Sequence, residues 1–286
     1  DIADFAKAGL ILNAADLASA SGFNKADFYE GPMQSLSVDP ATGMESDAFL
    51  WGVPRDVSTF ALYLNLDLID AAGAENPIEL ANNGEWTWEK FAEVAQQVTD
   101  QVEGAKGFGA NSWWANWGYF VNSGGCGFFN ADRTACALDT PESIAGLEFY
   151  QKLYASGAGV PFGEDAEPPF KAGTVGMFVN GRWATPGARE ITDFNWDVAP
   201  MPTGPAPGKD WLFWGAYVIN AQTANPEAAW KLVEALTSVE VQSKISSLGA
   251  NIPSRQSQEA IDAFLTYTPP ANNQAFVDGI SNDPVA

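Results

Sequence analysis

The chain has 286 residues, 46% of them hydrophobic and 13% aromatic, a length beyond which one core stops growing, so two lobes with well-filled interiors are expected. Acidic residues outnumber basic ones 36 to 14, and the formal charge of −22 repels phosphate backbones and anionic membrane surfaces, which argues against a nucleic-acid partner. Histidine is absent, which excludes Ser-His-Asp chemistry and histidine-held zinc.

In chain order, Asp1 to Leu17 carries a helical pattern with Ile2, Phe5, Ala6 and Leu10 on one face, and Phe23 to Leu36 predicts a second helical segment around Phe28. Asp1 follows neither a signal peptide nor a lipid-attachment cysteine in this sequence, so any export signal is expected to have been removed or to lie outside it. Val38 to Phe49 is polar and reads as a surface loop, and Pro54 is expected to interrupt any central ladder before the apolar run Phe60 to Leu64. Asn65 starts a short helix that Gly73 stops. Thr87 caps a longer one with Phe91, Val94, Ala95 and Val98 on one face. Phe108 to Asn122 holds Trp113, Trp114 and Trp117, within an uncharged run that glycine, asparagine and serine break too often for a membrane span, so the chain reads as soluble.

Cys126 and Cys136 flank Asn130-Ala131-Asp132-Arg133, the polar turn of an expected β-hairpin. A disulfide between them would contribute on the order of 3 kcal/mol and point to an exported protein, whereas two free thiols would suit a cytosolic one. Thr140 and Pro141 open a helix on which Ile144, Leu147, Tyr150 and Tyr154 align, and Gly157 ends it. The chain is organised around Phe170 to Arg189. There a short uncharged run through Met177-Phe178-Val179 suits a buried strand, and Asn180-Gly181 signals a turn through positive φ. The turn delivers Arg182 and Trp183 to the strand's carboxyl end, where ligands sit in open α/β sheets. Phe194 to Val198 and Trp211 to Asn220 are strand candidates. Asn225 and Pro226 open a helix carrying Ala229, Trp230, Val233 and Leu236. Trp51, Trp86, Trp88 and Trp230 are assigned to cores or helix caps.

Three proline-marked passages, at Pro54, Pro200 to Pro202 and Pro253, separate alternating blocks of strands and helices, as in a chain that passes between two α/β lobes. A set of motifs follows the same order. They are Gly52-Val53-Pro54 leading to Leu62-Tyr63-Leu64-Asn65, Gly73, Trp86-Thr87-Trp88-Glu89, Phe170 to Gly173, Met177, and Asn180-Gly181-Arg182-Trp183. Ala199-Pro200-Met201-Pro202, Trp214-Gly215-Ala216-Tyr217-Val218-Ile219 and Ile252-Pro253-Ser254-Arg255 complete the series. Together they resemble the extracellular solute-binding proteins of ABC importers, in the carbohydrate-binding group similar to maltose-binding protein, over nearly the whole chain. Leu66 stands where family members usually have lysine. The family's opening strand and helices and its last helices lack counterparts, so the N-terminal and C-terminal parts of the fold are expected to be missing from this chain.

The resemblance implies an α/β, two-lobed periplasmic-binding-protein-like fold of type II, with residues 1–54 and 203–251 in the first lobe and 55–202 and 252–286 in the second. It implies binding of a sugar or oligosaccharide in an interlobe cleft with hinge closure, and delivery to the permease subunits of an ABC transporter. It further implies a periplasmic or cell-surface location, a monomer, a lipid anchor as the only membrane link, no cofactor and no catalysis. By position it places Arg55 and Asp56 at the cleft beside the first crossing, and Trp183 on the second-lobe wall. Trp214, Gly215 and Tyr217 fall on the first-lobe wall, Arg255 at the third crossing, and Trp113, Trp114 and Trp117 in a cleft-edge loop.

The residue chemistry agrees with this. A sugar ring has an apolar C–H face and a hydroxyl rim, so its pocket wants flat aromatic platforms with polar groups around them, and here Asp56 is expected to accept hydroxyl hydrogens and Arg55, Arg182 or Arg255 to donate. Rival readings stay open. Asp56 has pairing with a neighbouring arginine as its alternative, Arg255 is equally placed to fix the hinge, and Arg189 is expected to face solvent rather than ligand. A secreted glycoside hydrolase would need two opposed carboxyl groups, for which Asp56, Glu164, Asp165 and Glu167 are candidates without a pairing motif. A binder of polyol phosphate, peptide or metal would want more cations or the missing histidines.

Overall fold

The structure, a computed structural model, describes residues 2–130, 134–206, 210–249 and 251–281. Its strands in chain order are β1 (Val53–Ser58), β2 (Phe60–Asn65), β3 (Lys106–Ala110), β4 (Val175–Gly181), β5 (Trp196–Ala199), β6 (Phe213–Tyr217) and β7 (Ile252–Pro253). The chain divides into a first unit, Asp1–Ser58 with Phe213–Tyr267, and a second unit, Thr59–Leu212 with Thr268–Val285. The divisions thus fall after residues 58, 212 and 267, against the expected 54, 202 and 251. Hydrogen bonding accounts for the first and third differences. Residues 55–58 continue β1 against β6, and Ile252–Pro253 pairs with β1, so a boundary at either proline would cut a ladder.

The sheet of the first unit has the order β6-β1-β7 and is antiparallel, with Val53 opposite Tyr217 and Val57 opposite Trp214 and Ile252. Pro54 does not end β1. The register slips between Pro54 and Asp56, a bulge that tolerates the missing N–H and leaves Arg55 outside the pairing. Helices Ala15–Ser21, Glu30–Ser35 and Pro226–Leu236 supply the core, where Phe28, Met33, Trp230 and Val233 meet Leu50, Val53 and Ile219. Phe28 is not the centre of a helix as the sequence pattern suggested. It bridges to Arg255 between a 3₁₀ turn (Lys25–Asp27) and the helix Glu30–Ser35, where the flanking bonds from Gln256 N to Asp27 O and from Tyr29 N to Ser254 O hold the segment extended.

In the second unit the order is β3-β4-β2-β5, parallel between β3 and β4 and antiparallel elsewhere. β2 and β4 are buried along their whole length, which explains why both read as continuous apolar runs rather than as alternation. The caps fall where the sequence placed them. Leu68 N–H donates to Asn65, Lys90 N–H to Thr87 and Ser143 N–H to Thr140, so helices Leu66–Ala71, Trp88–Gln101 and Pro141–Ala155 start on side-chain acceptors. On Pro141–Ala155 the buried stripe is Ser143, Gly146, Tyr150 and Leu153, and Ile144 is exposed. The stripe shifts because a Cβ on Gly146 would strike the Phe120 backbone, so only small residues admit the helix Trp114–Ser123 at that distance. Trp51, Trp86, Trp88 and Trp230 are all buried in cores.

The expected Cys126–Cys136 disulfide is not formed, and both cysteines are free. The register of the hairpin explains this. Phe129, not Cys126, lies opposite Cys136, while the Cys126 thiol donates to Ala137 O and accepts from Thr140 Oγ1. The turn residues Ala131-Asp132-Arg133 are outside the described residues. Among the described residues, no helix is long and apolar enough to cross a membrane.

Candidate functional site

β4 runs buried to Gly181 and the chain passes directly into a 3₁₀ turn, Arg182–Ala184. The expected positive-φ turn at Asn180-Gly181 is absent. Gly181 has φ −83° and ψ 177°, and both residues stay in the ladder opposite Ala61 and Phe60. The two residues that follow face opposite ways. Arg182 is 1% exposed, whereas Trp183 is 48% exposed.

Arg182 was expected to donate to ligand, and burial corrects that. Its Nη1 donates to Asn273 Oδ1 at 2.8 Å and its guanidinium stacks 5.4 Å from the Phe276 ring centre, so it braces β4 against the helix Gln274–Ser281. Desolvation lowers its pKa to about 10, which still leaves it charged at neutral pH. Beside it Tyr63 OH donates to Gly181 O at 2.9 Å and lies 2.7 Å from Thr185 Oγ1, which pins the backbone on both sides of the turn.

Trp183 opens a chain of rings across the second unit. It meets Trp113 edge-on at 6.1 Å and Phe60 at 6.4 Å, Phe60 meets Trp113 at 6.0 Å, and Trp113 meets Trp114 at 5.6 Å. Trp114 then packs on Trp211 at 5.1 Å and on Phe128 at 5.6 Å, and Phe128 supports Trp117 at 5.1 Å. Trp113 and Trp114 are 39% and 45% exposed and Trp117 is half-buried. Trp113 sits at the N-cap of the helix Trp114–Ser123, so one ring of the pair comes from the loop and the other from the first helical turn. Gly118 on that helix leaves room for Phe128 and Trp211, whose rings would lie 2.7 and 2.8 Å from any Cβ there. The result is a face of exposed indoles held edge to face on a buried aromatic base. Such a face offers apolar platforms to the C–H side of a flat ligand.

The remaining expected residues lie in the first unit. Asp56 is largely occupied: Asn251 Nδ2 donates to it at 2.6 Å, Gly215 N at 3.2 Å, and Arg55 forms a 3.0 Å ion pair. This is the arginine pairing weighed as the alternative for Asp56. Arg55 keeps a half-exposed side chain at the β1 bulge. Gly215 is fitted to the cluster, since a Cβ there would lie 2.9 Å from Arg55 Nη2. Trp214 and Tyr217 are half-buried on β6, Tyr217 against the core. Arg255 is committed to structure: it pairs with Asp27 at 2.7 Å, donates to Thr237 O and lies 4.6 Å over the Phe28 ring. The sequence reading missed Phe60, Phe128, Trp211 and Asn251. Phe60 and Trp211 carried a signal only as apolar strand residues, and nothing local tied Asn251 to Asp56.

Binding proteins of Brucella abortus (strain 2308) and Brucella suis biovar 1 (strain 1330) are each 25% identical to the chain over 235 residues, covering 77% of it. The chain spans 54% of the length of these relatives. An ABC substrate-binding protein of Listeria monocytogenes in complex with cycloalternan superposes with a TM-score of 0.84 at 19% identity, over 99% of this chain and 71% of that one. UgpB of Mycobacterium tuberculosis in complex with glycerophosphocholine gives 0.77 at 18%, over 100% and 70%. The sugar-binding protein MalE of Xanthomonas citri gives 0.72 at 19%, over 98% and 69%. These likenesses show the two-lobed α/β fold of periplasmic binding proteins. A model of the bacterial extracellular solute-binding proteins matches residues 1–243, and the chain belongs to that family.

Proposed function

We propose that the indole face of the second unit binds a neutral sugar or oligosaccharide, which the protein delivers to the permease subunits of an ABC importer from the periplasm or cell surface. The observation that supports this is the exposure of Trp183, Trp113 and Trp114 on one continuous chain of rings. On this reading Trp183, Trp113 and Trp114 are platforms and Trp117 steadies them through Phe128. Arg55, held by Asp56 where Gly215 leaves it room, is the polar contributor of the first unit, together with Trp214 and Tyr217. The two units close on the sugar and no bond is cleaved. The Listeria protein's ligand, cycloalternan, is of the same chemical class.

Titration with maltotriose, cellotriose and xylotriose, followed by tryptophan emission, is expected to give a saturable change with one of them, with the sugar recovered intact on chromatography. Recovery of shorter products would establish the hydrolase reading instead. A second reading has one supporting observation: exposed indoles also attract quaternary ammonium groups, and UgpB is solved with glycerophosphocholine. A response to glycerophosphocholine and to none of the sugars would select it.

A further inference from the structure

We propose that Gly181 is a positioning residue for Trp183: the side chain it lacks is the seat of the indole. The inference rests on the reading of Trp183 as a ligand platform. The backbone does not demand glycine here, because φ −83° and ψ 177° are open to any residue. Space does. A Cβ built on Gly181 would lie 2.6 Å from Trp183 Cε3 and closer still to Cζ3 and Cη2, so its three nearest atoms all belong to the indole. The ring therefore lies flat across the last residue of a buried strand.

Other tight glycines differ in what they meet or in where it lies, since the side chains crowding Gly109 and Gly159 belong to the buried Ala166 and Phe108. At Gly52, Gly107 and Gly204 the nearest atom is a backbone oxygen, of Tyr217, Ala95 and Ser123 respectively, so a substitution there strains the fold. At Gly181 the obstacle is a side chain whose other side is exposed. The backbone around it is fastened, with Gly181 O accepting from Tyr63 OH at 2.9 Å, Gly181 N donating to Asn180 Oδ1 at 2.9 Å and Arg182 braced on Asn273. An alanine at 181 thus displaces the indole rather than the strand, turning it off the edges of Phe60 and Trp113 that set its pose.

The test uses the whole chain labelled with 5-fluorotryptophan, with the Trp183 fluorine resonance assigned by Trp183→Phe. In Gly181→Ala the Trp183 and Trp113 resonances are expected to move, while those of Trp51 and Trp230, buried in the other unit, stay. This readout needs no ligand. Affinity for whichever of maltotriose, cellotriose and xylotriose binds the parent is expected to fall roughly tenfold, within the range of coupled neighbours. In a Trp183→Ala background Gly181→Ala should cost nothing further. Unmoved fluorine resonances, or the same affinity loss in both backgrounds, would overturn the proposal. If no sugar binds the parent, the proposed function fails while the fluorine shifts still decide the role of Gly181. Should Gly181→Ala not fold, adding Trp183→Gly removes the obstructing ring and is expected to restore folding; failure to restore it would overturn the proposal as well.

Discussion

Replacing Trp183 by alanine is the sharpest perturbation of the binding reading. The side chain is 48% exposed, and for an indole that buries roughly 250 Å² when fully covered this leaves about 120 Å² within reach of a ligand. A sugar ring lies against one face, so about 60 Å² of indole and a like area of sugar C–H surface leave water, a gross gain of about 3 kcal/mol at ~25 cal/mol/Å². Ordering of the ligand offsets part of this, leaving a net of about 2 kcal/mol, or roughly 30-fold in Kd. Isothermal titration calorimetry with the sugar that binds the parent should show that loss for Trp183→Ala and only a small one for Trp183→Phe. The melting temperature should fall as well, because the covered half of the ring packs on Gly181 and on the edges of Phe60 and Trp113, so Kd is measured well below it. Affinities within about twofold of the parent, the spread of ordinary surface substitutions, would refute the platform argument.

Arg182→Ala is expected instead to spare affinity and lower stability by about 3 kcal/mol, as a buried cavity opens and the bond from Arg182 to Asn273 Oδ1 is lost. Sugar affinity measured well below the melting temperature should hold, and a shifted urea midpoint with unchanged Kd is the diagnostic pattern; lost affinity at unchanged stability would make Arg182 a ligand contact after all. Asp210 supplies a pH test. Burial holds its carboxyl well above the ordinary carboxylate range, against the lowering effect of the Trp211 and Phe60 backbone N–H groups. The folded state keeps a proton that the unfolded state releases, so this stabilisation is complete below about pH 4 and declines as pH rises toward the folded-state pKa. Thermal melts should show Asp210→Asn gaining on the parent from pH 4 upward, and parallel slopes would contradict a buried neutral acid.

What could be read along the chain was what depends on a few neighbouring residues. Thr87, Thr140 and Asn65 cap helices because their oxygens reach N–H groups three residues on. β2 and β4 announce themselves as unbroken apolar runs because both their faces are covered, and the order of motifs carried the family. What the sequence could not settle were directions and distances set by groups remote in the chain. The positive-φ tolerance of Asn180-Gly181 yielded to a ladder that continues to Phe60. Cys126 and Cys136 missed each other by register. Ile144 gave up the buried stripe to Gly146 because the backbone of Phe120 comes so close. Arg182 and Trp183 show the division most clearly, since nothing in their adjacency says which is 1% and which 48% exposed. That choice belongs to Asn273, Phe276, Phe60 and Trp113, residues brought to the end of β4 only by the packing of the second unit.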